Sequence, residues 1–142
     1  MGLRLEVGGT NLARVLVVED NPAILDILTV LLEGEGFEVI GTGDGADAER
    51  LARTLVPDLA ILDLMLPGLS GGEIARRLRQ SACTRHVKIA YISALTPEDA
   101  ERQGWNVARP DLFISKPFDI HDLVERIRAL LGPAIWKEAG SA

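Results

Sequence analysis

Val15-Leu16-Val17-Val18 runs directly into Glu19-Asp20-Asn21-Pro22. An apolar, mostly β-branched run without a polar interruption describes a strand buried on both faces, as in parallel sheets. Pro22 suits the first turn of a helix, and Asp20 or Asn21 can cap it. Ile24, Leu25, Ile27, Leu28, Leu31 and Leu32 then recur at helical spacing until Gly34 and Gly36 close the helix. A buried strand that turns through acids into a helix is the first part of a βαβ unit.

The same alternation continues along the chain. Phe37–Ile40 is a second strand, Gly41–Gly45 a turn, and Ala46–Leu55 an Ala-rich helix stopped before Pro57. Leu59-Ala60-Ile61-Leu62 is a third strand that ends in Asp63. A loop from Leu64 to Gly72 leads into a helix over Glu73–Arg79 with Ile74, Ala75 and Leu78 on its apolar face. Val87–Ile92 is a fourth strand ending at Ser93, and Thr96-Pro97-Glu98-Asp99 is a strong helix start, with a cap, a proline and two acids in order. Gly104 and Pro110 interrupt the continuation of that helix. Leu112-Phe113-Ile114 is a fifth strand, ending in Ser115-Lys116-Pro117. Asp119 caps a last helix with Ile120, Leu123, Val124, Ile127, Leu130 and Leu131 inside, and Gly132-Pro133 stops it. Five strand–helix alternations with short connections imply a parallel sheet covered by helices on both faces.

Composition narrows the function. The 142 residues suit one domain, and 47% hydrophobic with 25% charged residues is ordinary for a globular chain able to bury a core. The net charge of −6 and the lack of a basic run argue against direct nucleic-acid binding. Cys83 is the only cysteine, so no internal disulfide or cysteine metal cluster is expected, which fits a reducing cytoplasm. No apolar run approaches the roughly 20 residues of a membrane span. Residues 1–12 read as a flexible leader, 13–131 as the domain and 132–142 as a tail too short for an output domain.

In an open parallel α/β sheet the functional crevice lies at the carboxyl ends of the strands. Glu19 and Asp20 follow the first strand, Asp63 the third, Ser93 the fourth and Lys116 the fifth. Three carboxylates crowded together repel, and a hard divalent ion such as Mg²⁺, which takes oxygen ligands, resolves that. A phosphoryl group could then bridge the ion and Lys116, with Asp63 as nucleophile and Ser93 as a hydrogen-bond donor. Singly, each residue has a plainer reading: Asp63 as a loop cap, Glu19-Asp20 as helix caps, Ser93 as a helix-preceding hydroxyl, Lys116 as a solvated amine. Their order along the strand ends favours the joint reading.

The segments Val15–Pro22 (VLVVEDNP), Ile61–Gly72 (ILDLMLPGLSGG), Ile92–Leu95 (ISAL) and Phe113–Phe118 (FISKPF) together resemble the receiver domains of two-component response regulators. The resemblance implies a flavodoxin-like (CheY-like), doubly wound, five-stranded parallel sheet of order 2-1-3-4-5 with five helices. It implies Asp63 as phosphoacceptor, Asp20 as direct Mg²⁺ ligand, Glu19 as a second acid acting through water, and Met65 as a backbone-carbonyl ligand. Ser93 and Lys116 match the phosphate-sensing positions, and Phe113 the switch aromatic. The implied donor is a histidine kinase or histidine phosphotransfer protein, and the implied output is contact with a downstream protein. Met65 and Leu95 lie two residues beyond Asp63 and Ser93, where the family tunes hydrolysis; both are apolar, so slow self-dephosphorylation is expected and no other enzymatic turnover.

Two departures stand out. Glu19 replaces the more usual Asp, and Gly104–Pro110 lacks the usual Gly-Ala before the fifth strand, leaving the fourth helix short, shifted or mobile. A flavodoxin-like cofactor site fails because Glu19-Asp20 would repel a phosphate. An aspartyl phosphatase would carry its nucleophile after the first strand in a DxD arrangement, and Asp63-Leu64-Met65 does not match. A pseudo-receiver that binds partners without phosphorylation is the remaining alternative. His86 and His121 read as surface residues, and Phe113 is about as often plain core. Trp105 and Trp136 could serve packing or a partner, and homodimerisation through the last helix is open.

Overall fold

The computed structural model describes residues 12–105 and 108–132. The expected leader, apart from Leu12, and the tail from Pro133 with Trp136 lie outside the described residues.

The apolar runs form β1 (Arg14–Val18), β2 (Glu38–Thr42), β3 (Leu59–Asp63), β4 (Lys88–Ser93) and β5 (Leu112–Ser115). Between and after them come α1 (Pro22–Gly34), α2 (Gly45–Leu55), α3 (Gly71–Gln80), α4 (Pro97–Arg102) and α5 (Ile120–Leu131). All strand pairs are parallel, as the alternation predicted, and the order is 2-1-3-4-5, as the family resemblance implied. Every residue of β3 is buried, because helices cover both faces of the central strand. One core lies between the sheet and α2, α3 and α4, built on Leu16, Leu62, Ile74, Leu78 and Tyr91. The other lies under α1 and α5, built on Val17, Leu28, Leu32, Ile61 and Ile127.

Local chemistry sets the helix starts. Asn21, rather than Asp20, caps α1, its side chain accepting from the N–H groups of Ala23 and Ile24. Asp44, Ser70, Thr96 and Asp119 cap the other helices in the same way. Helix α3 begins two residues earlier than expected, at Gly71, because Ser70 accepts from the Glu73 N–H. Strand β2 starts one residue later than expected and continues through Gly41 and Thr42, whose pairing with Val17 and Val18 outweighs the turn signal of the glycine. Helix α4 is six residues long and ends before Gly104, which takes φ of +81°.

The apolar residues of α1 extend beyond its buried face. Leu28 and Leu32 are buried, while Ile27, Val30 and Leu31 are exposed. Ile27 and Leu31, with Ile24, Lys116, Pro117 and Phe118, line a mostly apolar groove of about 630 Å³. No helix among the described residues is long and apolar enough to cross a membrane.

Ile61 has no exposed surface and sits at the middle of the central strand. Ile61→Ala should therefore lower unfolding stability by about 3 kcal/mol in urea titration with little change in slope, the size expected for a cavity in a packed core.

Candidate functional site

Register brings the acids together. Val18 of β1 pairs with Leu62 of β3, so Glu19 and Asp63 leave neighbouring strands side by side. The Glu19 N–H donates to the Thr42 carbonyl at 3.1 Å, which holds the strand end in line with β2. Asn21 takes the capping role, and Asp20 beside it is exposed while one of its carboxylate oxygens reaches the same pocket. Carboxylate oxygens of Glu19, Asp20 and Asp63 lie within 4.8 Å of one another.

Lys116 crosses from the end of β5 into this cluster. Its Nζ is 3.0 Å from Glu19 Oε1 and 3.2 Å from Asp63 Oδ2. The Lys116 backbone N–H donates to the Ser93 carbonyl at 2.7 Å, which binds the loop to the end of β4. The peptide bond from Lys116 to Pro117 is cis. Asp63 also accepts, through Oδ1, the N–H of Met65 at 3.0 Å, so its carboxylate is held from two sides.

Glu19 is almost fully buried, and Asp63 nearly so. Burial pushes the Glu19 carboxyl up from its ordinary range, the Asp63 charge adds to that, and the Asn21 N–H and the Lys116 ammonium oppose it. For Lys116, burial pulls downward, but the bond to Glu19 and the charges of Asp63 and Glu19 outweigh it, so its affinity for a proton is raised. The two acids thus favour the protonated, cationic form of Lys116 in this pocket.

Glu19 Oε2 accepts the Asn21 N–H at 3.0 Å, and the buried Oε1 has the Lys116 ammonium at 3.0 Å as its one polar neighbour, at an angle poor for a hydrogen bond. A carboxylate oxygen has more than one lone pair, so one off-axis ammonium leaves Oε1 with capacity for a further partner. The oxygen-only donor set and the unfilled shell of Oε1 fit a hard divalent cation, with Glu19, Asp20 and Asp63 as the residues that could hold it.

Of the other residues singled out from sequence, Ser93 is fully buried one position beyond Ile92, the register partner of Asp63. Its Oγ accepts the Leu95 N–H at 3.1 Å and keeps its own proton for another acceptor. The Met65 side chain is exposed. Phe113 is not at the carboxylate cluster; it stands edge-on to Tyr91, its register partner on β4, with ring centroids 6.4 Å apart. His86 and His121 are exposed, as expected, and Trp105 packs against the core beneath α4.

Two contributors carry little signal in the sequence. Gly71 starts α3 against the back of the acid: a Cβ there would overlap the carbonyl oxygen of Asp63 and crowd its carbonyl carbon and the Leu64 Cα. The Gly71 N–H also donates to the Leu64 carbonyl at 3.1 Å. The only sequence sign is the Gly71-Gly72 pair, which equally suits a loop. The second is Tyr91, whose β-strand setting hides a buried hydroxyl with a distant partner.

The molecule is thus a doubly wound parallel α/β domain with an acid-and-lysine pocket at its carboxyl edge. Residues 15–128 match the response regulator receiver domain, and the chain belongs to that family. It is 37% identical over 118 residues to the DNA-binding dual master transcriptional regulator RpaA of Synechocystis, covering 83% of this chain and 48% of the relative. It is 41% identical over 118 residues to the DNA-binding response regulator MtrA of Mycolicibacterium smegmatis, covering 83% of this chain and 50% of the relative. The chain thus spans about half the length of the curated relatives it matches. Among solved structures it resembles the receiver domain of the sensor histidine kinase PA1611 from Pseudomonas aeruginosa, which holds a magnesium ion in its active-site cleft. That match has a TM-score of 0.79 and 27% identity over 86% of this chain and 99% of the other. A CheY-like receiver domain protein from Methanospirillum hungatei gives a TM-score of 0.75 and 28% identity, over 84% of this chain and 94% of the other.

Gly71→Ala should move Asp63. We expect a drop in thermal midpoint of several degrees and at least a tenfold weaker Mg²⁺ affinity, read by titration of the Asp63 amide resonance. Unchanged affinity would show that the backbone contact does not set the carboxylate.

Proposed function

We propose that this receiver domain accepts a phosphoryl group on Asp63 from the phosphohistidine of a histidine kinase or phosphotransfer protein. Its phosphorylated state is then read by a downstream protein. The observation that carries the proposal is the Lys116 ammonium seated 3.0 Å from Glu19 and 3.2 Å from Asp63 at the mouth of three convergent carboxylates. That arrangement sets one fixed ammonium beside a nearly buried acid and leaves room for a cation among the three carboxylates, the two positive groups that acceptance of a phosphoryl group would draw on.

In the proposed step an Asp63 carboxylate oxygen attacks phosphorus as the phosphorus–nitrogen bond to the donor imidazole breaks. The bonding pair returns to the imidazole nitrogen, and an acyl phosphate forms on Asp63. Lys116 would exchange its contact with the Asp63 oxygen for one with a phosphoryl oxygen, and Ser93 would give its free hydroxyl proton to another. Glu19, Asp20 and Asp63, with the Met65 carbonyl, would hold Mg²⁺. When bound, that ion supplies positive charge against both the acids and the incoming phosphoryl oxygens. Phe113 is proposed to follow Ser93 as the site fills. The chemistry is confined to the chain's own phosphorylation and the slow hydrolysis of the acyl phosphate by water, in a cytoplasmic signalling role.

The apolar groove between α1 and the Lys116–Ile120 loop opens beside the lysine, which supports a protein rather than a small molecule as donor. The DNA binding named for RpaA and MtrA describes those longer proteins. For residues 13–131 we propose protein contact as the output.

Asp63→Asn should abolish labelling by acetyl phosphate in the presence of Mg²⁺, read as loss of the mass increment of one phosphoryl group; persistent labelling would reject Asp63 as acceptor. Met65 is exposed two residues beyond Asp63 and has no group to orient water. Met65→Asn should shorten the phosphoprotein's lifetime severalfold in a decay assay, whereas an unaltered lifetime would remove Met65 as a determinant.

A further inference from the structure

Tyr91 is fully buried on β4, and its hydroxyl donates to the carbonyl of Ala108 at 2.5 Å, across 17 positions of sequence. Burial pushes its phenol up to about 12, so the group remains a neutral donor throughout the physiological range. Its ring also meets Phe113 edge to face, at 85° between planes. Strand side chains alternate, so Tyr91 and Ser93 point to the same face of β4. Ser93 ends β4 one position beyond Ile92, the register partner of Asp63, and Tyr91 stands two residues earlier on the same strand.

The connection from α4 to β5 is tied at both ends by backbone bonds. Trp105 donates to the Ala100 carbonyl at 2.9 Å, and Asp111 to the Ile89 carbonyl at 2.8 Å. Between those ends the Tyr91 hydroxyl ties Ala108 to the sheet. The strand it stands on is paired on both sides, with Leu62 of β3 and Phe113 of β5 beside Tyr91. Tyr91 thus shares one strand and one face with Ser93 while its hydroxyl grips the α4–β5 connection.

We propose that Tyr91 is a positioning residue that makes the α4–β5 connection follow the state of the Asp63 pocket, through its hydroxyl bond to Ala108. The inference rests on the receiver reading given above, since it needs a pocket whose occupancy changes. When Ser93 shifts toward a phosphoryl group, β4 carries Tyr91 with it. Ala108 and Trp105, beside the short α4, then shift or are released. Phenylalanine at this position would keep the packing and remove the tie.

The test is amide NMR on the full chain with Mg²⁺ and beryllofluoride as phosphoryl mimic, comparing the unaltered protein with Tyr91→Phe. In the unaltered protein the amides of Asp63, Ser93 and Lys116 should shift together with those of Trp105 and Ala108, at one midpoint. In Tyr91→Phe the pocket amides should shift as before, while the Trp105 and Ala108 displacements should fall at least twofold. Equal displacements in both proteins would overturn the proposal, as would pocket shifts in the unaltered protein with Trp105 and Ala108 stationary. Pocket amides that ignore the mimic altogether would instead bring down the receiver reading, and this inference with it. Should Tyr91→Phe not fold, the phenolic proton of Tyr91 in the unaltered protein serves. It should be observable and should move on adding beryllofluoride, and a fixed resonance counts against the tie.

Discussion

Like charge held at close range is the constraint around which this domain is organised. Carboxylates of Glu19, Asp20 and Asp63 share a pocket in which an oxygen from each lies within 4.8 Å of the others. Two unit charges at about 4 Å repel by about 4 kcal/mol at the effective dielectric near a protein surface. The Lys116 ammonium offsets part of this by touching both buried acids, but it is one charge against three. The pocket therefore keeps a standing demand for positive charge.

Holding such a cluster in place takes a scaffold that cannot relax. Relaxation would mean splaying β1 from β3, and both strands are buried among helices on either face. From behind, α3 presses its first residue against the Asp63 backbone at a point where only glycine fits. From the side, the loop after β5 is bonded to Ser93 through the Lys116 amide, so the cation arrives from a fixed direction. In the proposed transfer to Asp63, preorganisation of this kind would let the carboxylate meet phosphorus with little rearrangement.

Around that rigid edge the surfaces are unequal. Helix α1 leaves Ile27, Val30 and Leu31 in solvent beside the groove that reaches Lys116. On the other side α4 is only six residues long, and the segment after it relies on a tyrosine from the sheet for one of its ties. A short helix contributes little packing of its own, so its surroundings are well suited to responding when the sheet edge changes.

Much of this is legible in the residue order. Buried apolar runs ending in Asp20, Asp63, Ser93 and Lys116 determine an alternating parallel fold with those side chains at one edge, because strand direction and crossover handedness leave few other arrangements. Caps such as Thr96 and Asp119 are local chemistry and can be read as such, whereas Ser70 sits in a loop whose neighbouring glycines mask its role. What tertiary structure alone decided was which neighbour each group meets. Asn21 rather than Asp20 caps α1, Lys116 touches Glu19 as well as Asp63, Gly71 backs the acid, and Tyr91 reaches Ala108. Those pairings join positions far apart in the chain, or choose between adjacent candidates, through ångström-scale register and packing, and no periodicity in the sequence encodes a distance of that kind.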